Sequence, residues 1–164
     1  MELKPIHGQT WAPISKPDRL RATYRRLCGT EQFFGFYDVH NDCLIGTIRK
    51  RKCLKDLFAV FRQLRNGYIQ SIRLYIIMDN LPVHKNKELL EFFDSNNIEI
   101  AWTPTYSSWI NLIEAQFGIM KRFTLNNTDD ISHSIRRKRI YRYLYYRNKN
   151  VNSHKCVSAK VFKH

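Results

Sequence analysis

The chain has few residues that break regular structure, and no segment of it is apolar enough to cross a membrane. Its 164 residues include only 6 glycines and 5 prolines. No apolar run approaches the roughly 20 residues that a membrane-spanning helix needs. The amino terminus carries polar residues and Pro5 where a signal peptide would be apolar. We therefore expect a cytoplasmic protein that makes no membrane contact.

Cysteine is also scarce and widely spaced. Cys28, Cys43, Cys53 and Cys156 form no C-x-x-C pair. Paired spacing is what signals a structural zinc site or a disulfide framework. We therefore interpret the four cysteines as reduced intracellular thiols.

Basic residues outnumber acidic residues two to one. There are 14 Asp and Glu against 28 Lys and Arg, which gives a formal net charge of +14, and residues 131–164 contain no acid at all. Such an excess most often marks a polyanionic partner, and nucleic acid is the leading candidate. The length is that of about one domain, and 43% hydrophobic residues suffice for a core. We expect residues 1–164 to form a single domain.

The order of apolar patterns predicts a mixed α/β sheet with helical cover. Prolines make residues 1–20 an irregular lead-in. The elements predicted after it are a short strand at 23–26, a hairpin of strands 32–39 and 43–48, a helix with apolar positions from Leu54 to Leu64, a strand at 73–78, a helix at 86–95, a strand at 98–102, a helix carrying Ile110 to Met120, and a basic carboxyl-terminal helix and tail at 131–164.

Two acids stand where ligands commonly bind in such sheets. Residues 74–78 form an unbroken apolar run, which predicts a strand buried on both faces with Asp79 at its carboxyl end. Glu114 follows after the 34 residues 80–113, on a helix that Ser107 or Ser108 would cap. Two neighbouring carboxylates repel each other unless a cation such as Mg²⁺ or Mn²⁺ lies between them. Alternatively, Asp79 caps the following loop and Glu114 pairs with Lys121 or a solvated arginine.

Two groups of basic residues are candidate DNA contacts. Lys121 and Arg122 lie one to two turns beyond Glu114, where they could hold a phosphate backbone near a metal. The tail combines arginines with tyrosines, both suited to phosphate oxygens. Its proposed DNA-contacting arginines are Arg136, Arg137, Arg139 and Arg142. The alternative is an amphipathic covering helix with a charged, solvated outer face.

Several separate strings resemble one protein family. Residues 74–80 with His84, and residues 103–117, resemble the catalytic core of Asp-Asp-Glu transposases. More narrowly, they resemble the bacterial insertion-sequence branch of the mariner-like superfamily, in which a 34-residue gap between the second and third acids is typical. The similarity continues through residues 11–13, 23–26, 37–39 and 146–148, so it covers nearly all of the chain. It implies a ribonuclease H-like fold, divalent-metal catalysis, transposon-end DNA as substrate and a homodimer in the complete protein.

One departure from the family pattern matters for activity. The first of the family's three acids ends the opening strand, upstream of the segment that Leu3 to Pro13 resembles, so we expect it to be missing here along with the amino-terminal helix-turn-helix region. Asp38 falls on the second strand of the pattern and Asp42 in a turn, so both are poor substitutes. The resemblance also implies that the opening strand lies between the second and fourth. Its loss would leave two unpaired strand edges facing each other. We expect that the chain then folds poorly alone, fills the gap with residues near its amino terminus, or is completed by an upstream-encoded segment of a split reading frame.

The leading hypothesis is therefore a transposase or integrase-type catalytic domain for metal-dependent DNA strand cleavage and transfer, inactive by itself. A rival is a non-catalytic DNA-binding or dimerisation remnant of a transposase. A third is an unrelated metal-dependent phosphoesterase that acts on RNA.

Overall fold

The structure, a computed structural model, combines two small sheets with helices on both sides. It describes residues 1–3, 5–6, 15, 29–104 and 111–152, with side chains to residue 149. The elements are β1 (Gln32–Asp38), β2 (Cys43–Arg49), α1 (Leu54–Asn66), β3 (Leu74–Met78), a short 3-10 helix (Pro82–Lys85), α2 (Lys87–Ser95), β4 (Ile98–Trp102), α3 (Ile113–Thr124) and α4 (His133–Asn152). The predicted strand at 23–26, most of the irregular lead-in and the two candidate cap serines lie outside the described residues.

The first sheet is the predicted antiparallel hairpin. β1 and β2 pair in register from Gln32 opposite Arg49 to Asp38 opposite Cys43. Asp42 closes the turn with a φ of 47°, a left-handed conformation that Asp adopts more readily than most residues. Its carboxylate accepts a hydrogen bond of 2.8 Å from the Tyr37 hydroxyl. The prediction of the hairpin is confirmed.

The second sheet joins β3 to β4 in parallel, with α2 as the crossover between them. Their register runs from Leu74 opposite Ile98 to Met78 opposite Trp102. α2 begins where predicted because the Asn86 side chain accepts hydrogen bonds from the two backbone N–H groups at Glu88 and Leu89, at 3.0 and 3.4 Å. The parallel pairing therefore places the carboxyl ends of both strands at one edge of this sheet.

Two hydrophobic clusters form on opposite sides of the hairpin. Successive residues of a strand point to opposite faces, and β2 shows this directly, since Ile45 packs with α1 while Leu44 packs with α3 and α4. The buried members of the α1 cluster are Cys43, Ile45, Leu57, Phe61, Leu64, Met78, Leu89, Phe93 and Ile98. Those of the second cluster are Leu44, Met120, Leu125, Ile140 and Leu144.

The expectation that β3 is buried on both faces is wrong. Leu74 and Ile76 pack into the α1 cluster, but Tyr75 is 67% exposed and Ile77 52% exposed. The helices on that side cover the hairpin instead of β3, because α4 packs on β2 and α3 packs on β1 and α4. An apolar run therefore predicted the strand correctly but not the layer over its second face.

A cavity separates the two sheets. We call it the strand slot; it has a volume of about 780 Å³ and is lined along one side by all of β1 and along the other by all of β3. Within the described part of the chain, β1 pairs only with β2 and β3 only with β4. The expected single mixed sheet is thus two separate sheets, whose unpaired edges face the same cavity.

The outer edge of β2 is closed by side chains of α4. The Asn148 amide accepts a hydrogen bond from the Leu44 N–H at 3.0 Å and donates one to the Leu44 carbonyl at 2.9 Å. The Tyr141 hydroxyl accepts from the Ile48 N–H at 3.1 Å. These bonds satisfy backbone groups that would otherwise be buried without partners. α4 therefore fixes the hairpin through its edge as well as its face.

Two further expectations can be compared with the structure. Cys53 is a free, exposed thiol, as expected. Cys43 is disulfide-bonded, so the interpretation of all four cysteines as reduced thiols is wrong for this residue. In the described ranges, every helix is too short or too polar to traverse a lipid bilayer.

The contact between Asn148 and β2 generates a stability prediction. Asn148→Ala leaves the buried Leu44 N–H and carbonyl without partners, so we expect the free energy of unfolding to fall by about 2 to 3 kcal/mol. Urea unfolding followed by circular dichroism measures this. Arg142→Ala, on the exposed side of the same helix, is the control and should change stability by less than about 0.5 kcal/mol. Equal effects of the two substitutions would show that Asn148 does not hold the strand edge.

Candidate active site

The carboxyl ends of β3 and β4 are tied together by backbone and side-chain hydrogen bonds. The Thr103 N–H donates to the Met78 carbonyl at 3.0 Å. The Asn80 side-chain amide donates to the Thr103 carbonyl in the other direction. Asp79 lies between these two tied residues, directly after β3. Its backbone is therefore fixed at the edge of the parallel sheet, as the sequence predicts.

The Asp79 carboxylate is held by His84. The distance between Asp79 Oδ1 and His84 Nδ1 is 2.8 Å, with the Asp79 side chain 55% exposed and that of His84 11% exposed. His84 belongs to the short 3-10 helix, which Pro82 starts. The buried imidazole thus orients an acid whose side chain is still more than half exposed. This contact gives His84 a role in positioning the acid.

Glu114 lies near the same cavity. It is exposed, in the first turn of α3, and its N–H donates to the Asn111 carbonyl at 3.0 Å. Asn111, Leu112 and Ile113 line the strand slot together with Asp79, so the start of α3 lies at the cavity that Asp79 borders. Among the described residues, the Glu114 carboxylate forms no ion pair, including the anticipated alternative with Lys121.

The donor chemistry of these residues fits a hard divalent cation in part. Mg²⁺ prefers oxygen ligands, and proteins often hold it with one or two carboxylates, the rest of its shell being waters and substrate phosphates. Asp79 and Glu114 supply carboxylates of that kind. Within the described ranges, however, there is no group of three His, Cys, Asp or Glu side chains that could hold a metal ion. The described chain therefore offers at most two of the protein ligands.

Asp38 has a structural role. Its carboxylate accepts hydrogen bonds from the Asn41 N–H at 3.0 Å, the Asn41 amide at 2.8 Å and the Tyr68 hydroxyl at 2.9 Å. Burial raises the pKa of the Asp38 carboxyl, but the hydrogen bonds outweigh burial and leave the pKa lowered. Burial and the Asp38 charge raise the pKa of Tyr68.

Asp38 also lies at the wrong end of the strand slot to join Asp79. Tyr68 belongs to the segment that leads into β3, so Asp38 lies toward the beginning of that strand, whereas Asp79 follows its end. Five strand residues span about 16 Å. Asp38 is therefore a poor substitute for a missing first acid, in agreement with the sequence analysis.

Three of the predicted DNA-contacting arginines form ion pairs within the protein. Arg136 is 0% exposed and binds the Asp130 carboxylate at 2.9 Å. Arg139 binds the same carboxylate at 2.7 Å. Arg137 donates from Nε to both oxygens of buried Glu31, at 2.9 and 3.1 Å. A buried arginine cannot reach a phosphate, so Arg136 is a structural residue.

The other predicted contacts are exposed. Lys121 and Arg122 lie in the last turn of α3, and Arg142 lies on the outer side of α4. Lys138, one turn before Arg142, is exposed as well. These four exposed cations lie on α3 and α4, the helices that contribute to the second cluster on the side of the hairpin opposite α1; we call them the basic face.

Sequence reasoning missed one cation, Lys85, at the carboxyl end of β4. Lys85 Nζ lies 5.5 Å from the ring centroid of Trp102, the last residue of β4. A cation over an indole ring gains about 0.5 to 2 kcal/mol and is held in place. In the sequence, the only indication of a role for Lys85 was that it directly follows His84, which is part of the family resemblance.

Comparisons with known proteins agree with this architecture. A family model described as DDE superfamily endonuclease matches residues 1–135. A chain of the Mos1 strand transfer complex is 14% identical, with a TM-score of 0.59, over 99% of this chain and 52% of that chain. The HTLV-2 integrase catalytic core domain in complex with magnesium is 18% identical, with a TM-score of 0.51, over 72% of this chain and 77% of that one.

A chain of the simian T-cell lymphotropic virus intasome is 15% identical, with a TM-score of 0.56, over 69% of this chain and 42% of that chain. No curated protein matches the sequence. At such identities the structures share the fold alone, which confirms the predicted ribonuclease H-like α/β class. The chain spans about half the length, or less, of the Mos1 and simian virus chains.

The lowered pKa of Asp38 generates a pH prediction. A carboxyl whose folded-state pKa is depressed stabilises the fold above its unfolded pKa of about 4, and this stabilisation disappears as the pH falls through the folded pKa. We therefore expect the free energy of unfolding to decrease more between about pH 6 and about pH 3, a range that spans the unfolded pKa of the carboxyl, in the wild type than in Asp38→Asn. Asp94→Asn, on the exposed side of α2, is the matched control. A wild-type pH profile that Asp38→Asn leaves unchanged would contradict the prediction.

Proposed function

Because the chain belongs to the DDE superfamily endonucleases, we propose that it is the catalytic core of a DNA transposase in which Asp79 and Glu114 hold Mg²⁺ or Mn²⁺. The observation that carries the proposal is the position of Asp79. Its backbone is fixed between the tied ends of β3 and β4, and it borders the cavity that the start of α3 also lines. Sites at the carboxyl ends of strands are where this class of sheet binds ligands.

The chain's own residues would position the acids and the DNA. His84 holds one oxygen of Asp79, whose side chain remains 55% exposed. Lys85, over Trp102, places a cation at the same edge. A divalent ion bound there supplies activation of a water or a 3′ hydroxyl and stabilises a leaving phosphate oxygen. Cations of the basic face would bind the DNA backbone and hold the scissile phosphate in place.

Further proposals concern the branch of the family, the binding partners and the completeness of the protein. We assign the chain to the bacterial insertion-sequence branch, with transposon ends and target DNA as partners and a homodimer as the complete form. One structurally similar protein is the Mos1 transposase in a paired-end complex with the left transposon end, which supports DNA of this kind as substrate. We further propose that the first acid is encoded upstream and that these residues alone do not cleave DNA. Sequencing the upstream DNA tests this, and the absence there of an apolar strand ending in Asp would contradict it.

A second candidate is a DNA-binding remnant without chemistry. The observation in its favour is that the described residues contain no group of three metal-binding side chains. The basic face would then be the only functional surface. Metal binding and DNA binding must therefore be measured separately.

Metal binding is the first test. We expect titration with Mn²⁺, followed by electron paramagnetic resonance, to show binding that Asp79→Asn and Glu114→Gln each weaken at least about tenfold. His84→Ala should weaken it by a similar factor, because the imidazole orients the Asp79 carboxylate.

Two controls make the metal test decisive. Asp94→Asn removes an exposed carboxylate from α2 and should leave Mn²⁺ affinity unchanged. Nicking of supercoiled DNA in Mn²⁺ is measured in parallel, and we expect none from the wild type by itself. Mn²⁺ binding that neither Asp79→Asn nor Glu114→Gln affects would favour the remnant.

DNA binding by the basic face is the second test. Each phosphate contact contributes about 0.9 to the slope of log affinity against log salt for duplex DNA. We therefore expect Lys121→Ala, Arg122→Ala and Arg142→Ala each to lower the magnitude of that slope by about 0.9, as measured by fluorescence anisotropy across a salt series.

The control for the basic face is on the opposite side of the hairpin. Lys55→Ala removes an exposed cation from α1 and should leave the slope unchanged. If Lys55→Ala changes the slope as much as Arg142→Ala does, DNA binds without preference for the basic face and the assignment is wrong.

A further inference from the structure

Two aromatic rings stack where α3 meets α4. The ring centroids of Phe123 and Tyr143 are 6.1 Å apart, and the angle between the ring planes is 18°. Tyr143 is partly buried and packs against the second hydrophobic cluster, so the fold holds its ring in place. Phe123, in the last turn of α3, is 71% exposed. One ring of the pair is therefore anchored, while the other presents most of its surface to solvent.

The stacked pair belongs to a larger exposed apolar surface. Ile119 lies one turn before Phe123 on α3, and Tyr146 lies about one turn after Tyr143 on α4. Residues three or four apart share one side of a helix. Ile119 is 44% exposed and Tyr146 56% exposed. We call these four residues the aromatic patch; contiguous exposed apolar groups of this kind mark binding surfaces more often than single exposed residues do.

Arginines without a counterion border the aromatic patch. Arg122 directly precedes Phe123, Arg142 directly precedes Tyr143, and both arginines are exposed. Among the described residues, neither arginine forms an ion pair. α3 contains no acid after Glu114, and α4 contains none at all. The surface therefore combines flat apolar rings with uncompensated positive charge.

This combination decides between the possible occupants. Two copies of the chain that met through the aromatic patch would bring their arginines together with no neighbouring carboxylate, and like charges oppose such a contact. A nucleic acid supplies phosphates for the arginines and flat bases for the rings. Paired bases within a duplex are already stacked on each other on both faces. Only an unpaired base can therefore offer a free face to the exposed ring.

We propose that the aromatic patch is a stacking site for an unpaired base of single-stranded DNA, whose phosphates bind Arg122 and Arg142. The base lies on the exposed ring of Phe123, and Tyr143 supports that ring. The inference rests on the proposed DNA binding by the basic face and adds a site for single strands to it. Every base has a face that can stack on an aromatic ring, so the site accepts any sequence.

Binding of a single-stranded oligonucleotide of about 12 nucleotides tests the inference. We expect Phe123→Ala to weaken binding at least about fivefold, because one base loses its stacking partner. The slope of log affinity against log salt should stay the same, since phenylalanine carries no charge and displaces no counterion. Fluorescence anisotropy across a salt series measures both quantities. Unchanged affinity in Phe123→Ala would overturn the proposal.

An abasic oligonucleotide separates stacking from a general effect on the fold. It keeps the sugar-phosphate backbone and lacks the bases. We expect Phe123→Ala to weaken binding of the ordinary strand and to leave binding of the abasic strand unchanged. Phe123→Trp keeps an aromatic face and should bind the ordinary strand as tightly as the wild type does. An equal loss for both strands in Phe123→Ala would show an effect on backbone contacts or on folding, and would overturn the proposal.

Tyr145 provides a matched control on the same helix. Tyr143 and Tyr145 flank the buried Leu144, and a helix turns by about 100° per residue, so the two tyrosines lie on opposite sides of it. Tyr145 is 58% exposed. Tyr145→Ala thus removes an exposed ring from the side away from Phe123, and it should leave single-strand affinity unchanged. Equal losses in Tyr145→Ala and Phe123→Ala would contradict a defined stacking site.

Duplex DNA and the oligomeric state distinguish the remaining outcomes. Phe123→Ala should leave the affinity for a duplex unchanged, because paired bases have no free face. If the chain binds duplex DNA and Phe123→Ala has no effect on single strands, this inference is wrong and the proposed function stands; if the chain binds neither DNA, both fail. A dimer of the wild type that Phe123→Ala abolishes, as seen by analytical ultracentrifugation, would assign the aromatic patch to a second copy and overturn the proposal.

Discussion

The hydrogen-bonding demand of strand edges is the constraint on which this structure depends. Every backbone N–H and C=O removed from water needs a partner, and an unmet one costs about 1 to 3 kcal/mol. At the outer edge of β2 the demand is met by Asn148 and Tyr141 of α4. At the facing edges of β1 and β3 it is not met within the described residues. The contacts of α4 meet this requirement at one edge of the hairpin, and the strand slot is the place where the described residues leave it unmet.

α4 has one buried side, which packs in the core, and one exposed side, which carries basic residues. The composition of its sequence does not show which residues lie on which side. Residues four apart along it are buried, and they form the stripe Arg136, Ile140, Leu144 and Asn148. Lys138 and Arg142 lie outside this stripe and are exposed. From the sequence, both Arg136 and Arg142 were predicted to contact phosphate. Only the fold shows that Asp130, also buried, neutralises Arg136 from the loop before the helix.

Local patterns predicted the elements well, and long-range packing explains the errors. The hairpin, α1, α2 and β4 follow from alternation, apolar spacing and an asparagine cap, all of which act over a few residues. The exposure of Tyr75 and Ile77 depends instead on which sheet α3 and α4 cover. The partner of the Asp79 carboxylate also required the fold, although His84 was already singled out by the family resemblance.

The strand and the helix that carry the two acids, Asp79 and Glu114, also line the strand slot. Asp79 ends the strand whose Tyr75 and Ile77 face the slot, and the start of α3, which carries Glu114, lines the same cavity. Any movement of β3 relative to β1 therefore changes the separation of the two carboxylates. A cation held between them requires that separation to be fixed within a few tenths of an ångström. Completing the sheet would restrict this movement, so metal affinity should depend on the backbone partners of β3 as well as on the two acids.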